Sequence, residues 1–300
     1  MRKLRSYVLP TALVLGGLLH AYCSYLAFVT PWCIFLILLL NFVAVDFHGL
    51  RPHRVFWPLL ALQAVLPLVL YLALKMAGAD EALAQGVLIG VLCPVAASVV
   101  VIACMLGARR EMVTAFTLVA YLMTTFLAPV YFSFIGVNQQ LPFMESFLLI
   151  LGHTFPVLAL PFFLAYVLRR FLPSVSSFLE GWKDLSFPIW AFVLMISLGQ
   201  TVHSIILRMD QDALVIISLG IAAALLCIAQ FLVGRLIGKP FGERVASGQL
   251  LGQKNSAMGI WMAGIYLDPL SAVYFAFYAI FQNLFNSYQL WTLDRKVKKS

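Results

Sequence analysis

"GQLLGQKNSAMGIWMAG", residues 248–264, is apolar toward its ends and polar in its middle. Gly252-Gln253-Lys254-Asn255-Ser256 falls at the centre of a run that otherwise reads as a membrane-spanning helix. A Lys at that depth is expensive and marks a functional position by default. Glycine and amides also loosen a helix. Irregular backbone survives in a bilayer only when it is buried in protein or lines a cavity.

The surrounding chain decides for a membrane. Of its 300 residues, 63% are hydrophobic and only 11% charged, against roughly 25% charged in soluble domains. There is too little polar surface to cover a soluble core. Apolar segments run approximately over 7–27, 30–46, 55–77, 83–107, 112–135, 145–168, 186–206, 213–237, 245–266 and 270–293. Each is about 17–25 residues long, enough to cross roughly 30 Å of hydrocarbon. They are continuous apolar runs rather than ten-residue alternations, which excludes a β-barrel. The expected fold is an all-α integral membrane protein of ten transmembrane helices, with 1–300 as a single domain.

The charges orient it. With the N-terminus in the cytoplasm, 17 of the 20 basic residues fall inside: Arg2, Lys3, Arg5, Arg51, Arg54, Arg109, Arg110, Arg169, Arg170, Lys183, Arg235, Lys239, Arg244, Arg295, Lys296, Lys298 and Lys299. Lys75 and Arg208 fall outside. The positive-inside rule therefore places both termini in the cytoplasm, in a plasma (inner) membrane. The net charge of +8 is this rule at work and implies no nucleic-acid partner; the basic C-terminus reads as an anchor near anionic lipid. The 12 acidic residues lie at or near segment ends, with Asp46 nearest to hydrocarbon. Lys254 is then the one Lys, Arg, Asp or Glu in the bilayer interior. The first segment lacks a clean cleavage site and reads as a retained helix. The five Cys lie within apolar segments and read as reduced packing residues.

The ten segments divide into two fives near residue 140, giving halves 1–140 and 141–300. An odd number of crossings per half inserts the halves with opposite orientation, the inverted-repeat plan of many secondary transporters. In such folds the site lies where paired helices break. The fourth segment carries Pro94, which removes an amide donor and opens the helix. The ninth carries Gly252–Ser256. Either interruption alone is ordinary; both in equivalent segments point to a site. Other polar positions inside the segments are Gln63, Thr117, Thr124, Thr125, His153, Gln282, Asn283 and Asn286. Gln282 and Asn286 are four apart and share a helix face. They line a polar path or bond neighbouring helices.

These stretches resemble the bile acid:sodium symporter family. "GVLIGVLCPVAASVVVIACMLGARREM" (86–112) is similar to that family's fourth helix with its CPGGTASN motif. "GQLLGQKNSAMGIWMA" is similar to its ninth-helix E-x-G-x-Q-N-S-x-x-G, "LALQAVLP" (60–67) to a third-helix Gln–Pro segment, and "QNLFNS" (282–287) to its tenth helix. The resemblance implies a core domain in which helices four and nine are broken and cross, and a panel domain that moves against it. It also implies uptake of organic anions driven by two sodium ions.

Carried over residue by residue, the sodium sites are incomplete. Gln63 and Thr117 match family ligands, and Ser98 lies beside the ion-site motif. The family's Ser-Asn pair falls on Val99 and Val100, a further Ser on Val113, and the shared Glu on Leu250. The family Gln is Lys254, while Asn255 and Ser256 are retained. Sodium is doubtful with Val and Leu in place of oxygens, and no other cofactor or metal is expected. A Lys ammonium is compact with three donors; here it is a tethered substitute for the coupling ion, bonding Gln63 and the carbonyl ends of broken helices. An ammonium that binds and releases a proton also makes protons a candidate coupling ion.

The expected activity is alternating-access transport of a small or amphipathic organic anion, held by Asn255, Ser256, Gln282, Asn283 and the break at Pro94. The alternatives are a sodium-coupled symporter of the same family, an arsenite-type oxyanion carrier using Cys93, and a transport-dead sensor or assembly subunit. An enzyme is not expected: there is no mid-membrane carboxylate pair, no H-E-x-x-H and no nucleophile–base pair.

Overall fold

The computed structural model describes residues 11–12, 14–45, 50–96, 98–136 and 141–297. Expectations placed on Arg2, Lys3, Arg5, Asp46, the boundary near residue 140, Lys298 and Lys299 lie outside the described residues, as do the side chains of Arg208, Arg295 and Lys296. Among the described residues the chain is all-helical, with one isolated β-bridge.

After helical residues 14–18, the elements are α1 (His20–Tyr25), α2 (Thr30–Val43), α3 (Phe56–Met76), α4 (Glu81–Leu92), α5 (Val99–Met105), α6 (Arg110–Ile135), α7 (Phe143–Leu158), α8 (Leu160–Phe171), α9 (Pro173–Gly181), α10 (Ser186–Gly238), α11 (Arg244–Gly252), α12 (Ser256–Tyr266) and α13 (Val273–Val297). α10 leaves helical geometry at Asp212 (φ −118°, ψ 21°), so it is two helices end to end.

Four stretches are single helices long and apolar enough to cross a membrane: Phe56–Met76, Arg110–Ile135, Lys183–Leu207 and Asp212–Phe241. α7 and α8 form a fifth if taken as one span bent by 42°. Pro156 in α7 and Pro161 at the start of α8 remove amide donors around that bend. The other expected segments differ from single long helices for physical reasons. Pro94 divides 83–107 into α4 and α5. Residues 253–255 divide 245–266 into α11 and α12. α13 is 25 residues long but carries amides and a charged end.

Two apolar clusters fill the interior. One gathers α2, α4, α10, α12 and α13 with parts of α6 to α8. The other joins α3, α5, α6 and α11. Large apolar side chains such as Val65, Phe126 and Leu225 are exposed, as suits a hydrocarbon surround. The integral membrane reading follows from these helices and their apolar exterior.

The broken helices are packed at backbone distance. A Cβ on Gly252, at the end of α11, would collide with the Phe231 ring of α10. One on Gly90 of α4 would collide with the Tyr274 ring of α13. Aromatic rings in a dense interior move only with their neighbours. Gly252→Val is expected to destabilise the protein by about 1–3 kcal/mol through overpacking. Gly152→Ala, where no atom lies within 4 Å, is expected to leave the melting temperature unchanged or slightly higher. Thermal unfolding of the detergent-purified variants checks both.

Candidate functional site

The site is built where α4 stops. Asp80 caps its start, accepting from the Ala82 amide at 2.8 Å. Its end is set by Pro94, which forces the preceding residue out of helical geometry. Cys93 is accordingly extended (φ −53°, ψ 136°). The chain stays out of helix through Val95 and Ala96 before α5 begins. On the opposite side α11 ends at Gly252, and Gln253 and Asn255 are likewise non-helical.

The two interruptions satisfy each other. Ala96 N donates to Gln253 O at 2.9 Å, and Asn255 N donates to Pro94 O at 3.0 Å. Val95 and Lys254 form an antiparallel bridge between them. Backbone freed from helices in an apolar interior needs such partners. Asn255 then starts α12, its Oδ1 accepting from Met258 N at 3.3 Å.

The last carbonyls of α4 remain, and they carry the negative end of the helix dipole. Lys254 reaches them. Its Nζ donates to Val91 O at 2.7 Å and to Cys93 O at 3.0 Å. Gln63 of α3 joins from another side, its Nε2 donating to Leu92 O at 3.0 Å and Cys93 O at 3.2 Å. Thr124 of α6 donates to Leu92 O at 3.4 Å. Lys254 and Gln63 are both fully buried. Lys254 forms no ion pair among the described residues, and the two acceptors of its ammonium are carbonyls.

α13 holds the other edge. Gln282 Oε1 accepts from Lys254 N at 2.9 Å, and its Nε2 donates to Lys254 O at 3.2 Å and Ser256 Oγ at 3.4 Å. One turn earlier, Tyr278 donates to Gly252 O at 2.7 Å. Gln253 donates to Ser98 Oγ at 3.2 Å.

Lys254, Gln63, Pro94, Asn255, Ser256, Gln282 and Ser98 are therefore brought together, but the expected bond from Lys254 to Gln63 is not made: both side chains donate to Cys93 O, and Gln63 Oε1 has no partner. Two expected residues are not brought there. Thr117 donates to Val113 O on its own helix at 2.8 Å. Asn283 donates to Ala279 O, also on its own helix, at 2.7 Å. Each is consumed by an i−4 carbonyl. Asn286 bonds Gln249 instead of the break. All five cysteines are free, and Cys93 donates its thiol to Asn255 O at 3.3 Å.

Tyr121 and Tyr278 belong to the site and were not singled out from the sequence. Tyr121 Oη accepts from Asn255 Nδ2 at 2.8 Å. The available signal was spacing: Tyr121 lies one turn from Thr117 and Thr125, and Tyr278 one turn from Gln282. Beside Tyr121 on α6, Leu118 and Leu122 line an apolar cavity of about 190 Å³ with Leu50, Arg51, Phe56 and Phe162.

Broken helices that meet around buried polar groups are the site architecture of many membrane transporters. The model of the Sodium Bile acid symporter family matches residues 31–209, more than half of the chain, and the chain belongs to that family. Gln63, Pro94 and Thr117 lie within the matched range; Lys254, Asn255 and Ser256 lie beyond it. Among curated proteins, none matches the chain. Members of this family are transporters of bile-acid-like or other organic anions and not enzymes.

Gln282→Leu leaves the Lys254 amide and carbonyl without partners. It is expected to destabilise the protein by roughly 1–3 kcal/mol. Asn283→Ala is expected to change stability by no more than about 0.5 kcal/mol. Chemical denaturation of both purified variants compares them.

Proposed function

We propose that this chain is a secondary transporter of a small or amphipathic organic anion that works by alternating access without sodium. Lys254 stands in for the coupling ion. The observation that carries this reading is the contact of Lys254 Nζ with Val91 O and Cys93 O, at the dipole end of a broken helix. A mobile cation at that place needs a shell of oxygens. Three positions that the family resemblance assigns to sodium ligands, Val99, Val113 and Leu250, are apolar and fully buried. Thr117 is bonded to its own helix.

In this reading the chain makes ten crossings in inverted halves, 1–140 and 141–300, in a plasma membrane with both termini cytoplasmic. The paired breaks and the basic loops support it. The anionic group of the substrate sits at the start of α12, where Asn255, Ser256 and the first amides face the break and the helix dipole is positive. Pro94 keeps the partner helix open there. Gln282 holds the break from the α13 side, and Asn283 lies beside it on that helix. The cavity beside Tyr121 suits an apolar body, with Arg51 at its edge. Protons are the proposed coupling ion, carried on the Lys254 amine.

Asn255→Ala is expected to weaken substrate binding about ten- to hundred-fold, the equivalent of roughly 1–3 kcal/mol for a lost buried amide partner. Asn286→Ala should weaken it far less. Equal, negligible effects in a binding assay would move the substrate elsewhere.

Uptake of a labelled organic acid into proteoliposomes is expected to be unchanged when choline replaces sodium. Lys254→Gln should abolish or strongly impair it and remove its response to a pH gradient. A steep rise of wild-type rate with sodium overturns the tethered-ion reading. Absence of flux for every acid tested, under either gradient, favours a sensor.

A further inference from the structure

A second buried polar cluster lies away from the break, between α10, α11 and α13. Gln249 of α11 is 1% exposed, and Asn286 and Gln289 of α13 are 3% and 8% exposed. Gln249 Nε2 donates to Asn286 Oδ1 at 3.2 Å and to Gln289 Oε1 at 3.3 Å. Arg235 of α10 also donates to Gln289 Oε1. Both α13 amides thus spend their oxygens inside the cluster. The NH₂ groups of Asn286 and Gln289 are left with no partner, as is Gln249 Oε1. Unpaired buried donors signal an occupant that supplies acceptors.

The charge balance agrees. Arg235 is partly buried, lies along Gly248 of α11 and stands over the Phe285 ring at 5.8 Å. Arg244 at the start of α11 is near enough to repel it. Neither guanidinium has a carboxylate partner among the described residues. Two like charges beside a low-dielectric interior, with free donors between helices, attract an anion rather than another cation. Arginine's planar fork fits oxygens of phosphate or carboxylate. Leu232 and Leu236, on the same helix as Arg235, are exposed to the apolar surround.

We propose that Arg235, Asn286 and Gln289 form a binding site for one oxyanion group, a phosphate-type headgroup or free phosphate, distinct from the Lys254 break. Arg235 supplies charge and a forked donor, and the two amides supply the remaining N–H groups. Gln249 Oε1 accepts from a protonated oxygen of the anion or from a water bound to it.

The test uses the full-length protein, delipidated in neutral detergent, and reads the melting temperature against inorganic phosphate at constant ionic strength. A parallel arm compares nanodiscs of phosphatidylglycerol with nanodiscs of phosphatidylcholine. The expected result is a saturable stabilisation in one arm. Stabilisation by free phosphate identifies a soluble ion. Stabilisation only by the anionic lipid identifies a headgroup. In either case Arg235→Gln should weaken the apparent affinity about ten- to hundred-fold, as for loss of a charge-assisted hydrogen bond. Gln289→Leu keeps the guanidinium and should weaken it less. Because the readout is the ligand-dependent increment, a uniform loss of stability in a variant does not imitate it. No saturable increment in either arm, or an increment equal in wild type and both variants, overturns the site and leaves the cluster to water.

Discussion

Two helices are interrupted inside an apolar interior, and the amides and carbonyls released there have no water to bond. The rest of the site depends on how that demand is met. Val95 and Lys254 face each other in a two-rung antiparallel bridge, so each break supplies the other's backbone partners. Side chains complete the set: Gln282 grips both backbone groups of Lys254, and Tyr278 takes Gly252 O. The two interruptions thus meet at a point held from α3, α6 and α13.

The meeting of the two breaks also decides the electrostatics. A helix that ends early exposes its last carbonyls, and those of α4 point at one buried volume. Lys254 and Gln63 share Cys93 O, one as a charge and one as a dipole. The family resemblance implies a diffusible cation; in the proposed reading a covalently attached one stands in its place, and a cycle then moves the ammonium's contacts or its proton rather than releasing an ion. The apolar packing of Val99, Val113 and Leu250 agrees with that reading, since nothing remains there to strip a hydration shell.

Much of this was legible in the chain. The membrane class followed from composition. The breaks followed from Pro94, whose missing N–H is a local fact, and from a polar run too costly for lipid. Gln282 was legible as one face with Asn286, but not as the residue that grips Lys254. Thr117 and Asn283 looked equally suited to the site and are absent from it. Both are four residues from a carbonyl of their own helix, and only the packing around them decides whether that bond or a tertiary one wins. Tyr121 and Tyr278 went unnoticed because a tyrosine in an apolar run reads as packing until its hydroxyl has a partner. The cluster of Arg235, Gln249 and Gln289 was equally hidden: its members are 14 and 40 residues apart in the chain, and no pattern links them.

By itself the sequence determined the solvent, the helical class, the two points of rupture and the Lys that sits at one of them. These are properties of composition and of single residues, and they do not depend on what a helix packs against. Only the tertiary structure decided which carbonyls the ammonium bonds, which amides reach the break and which close on their own helix. Those outcomes turn on ångström-scale distances between helices remote in the chain, and hydrogen bonds fail beyond about 3.5 Å.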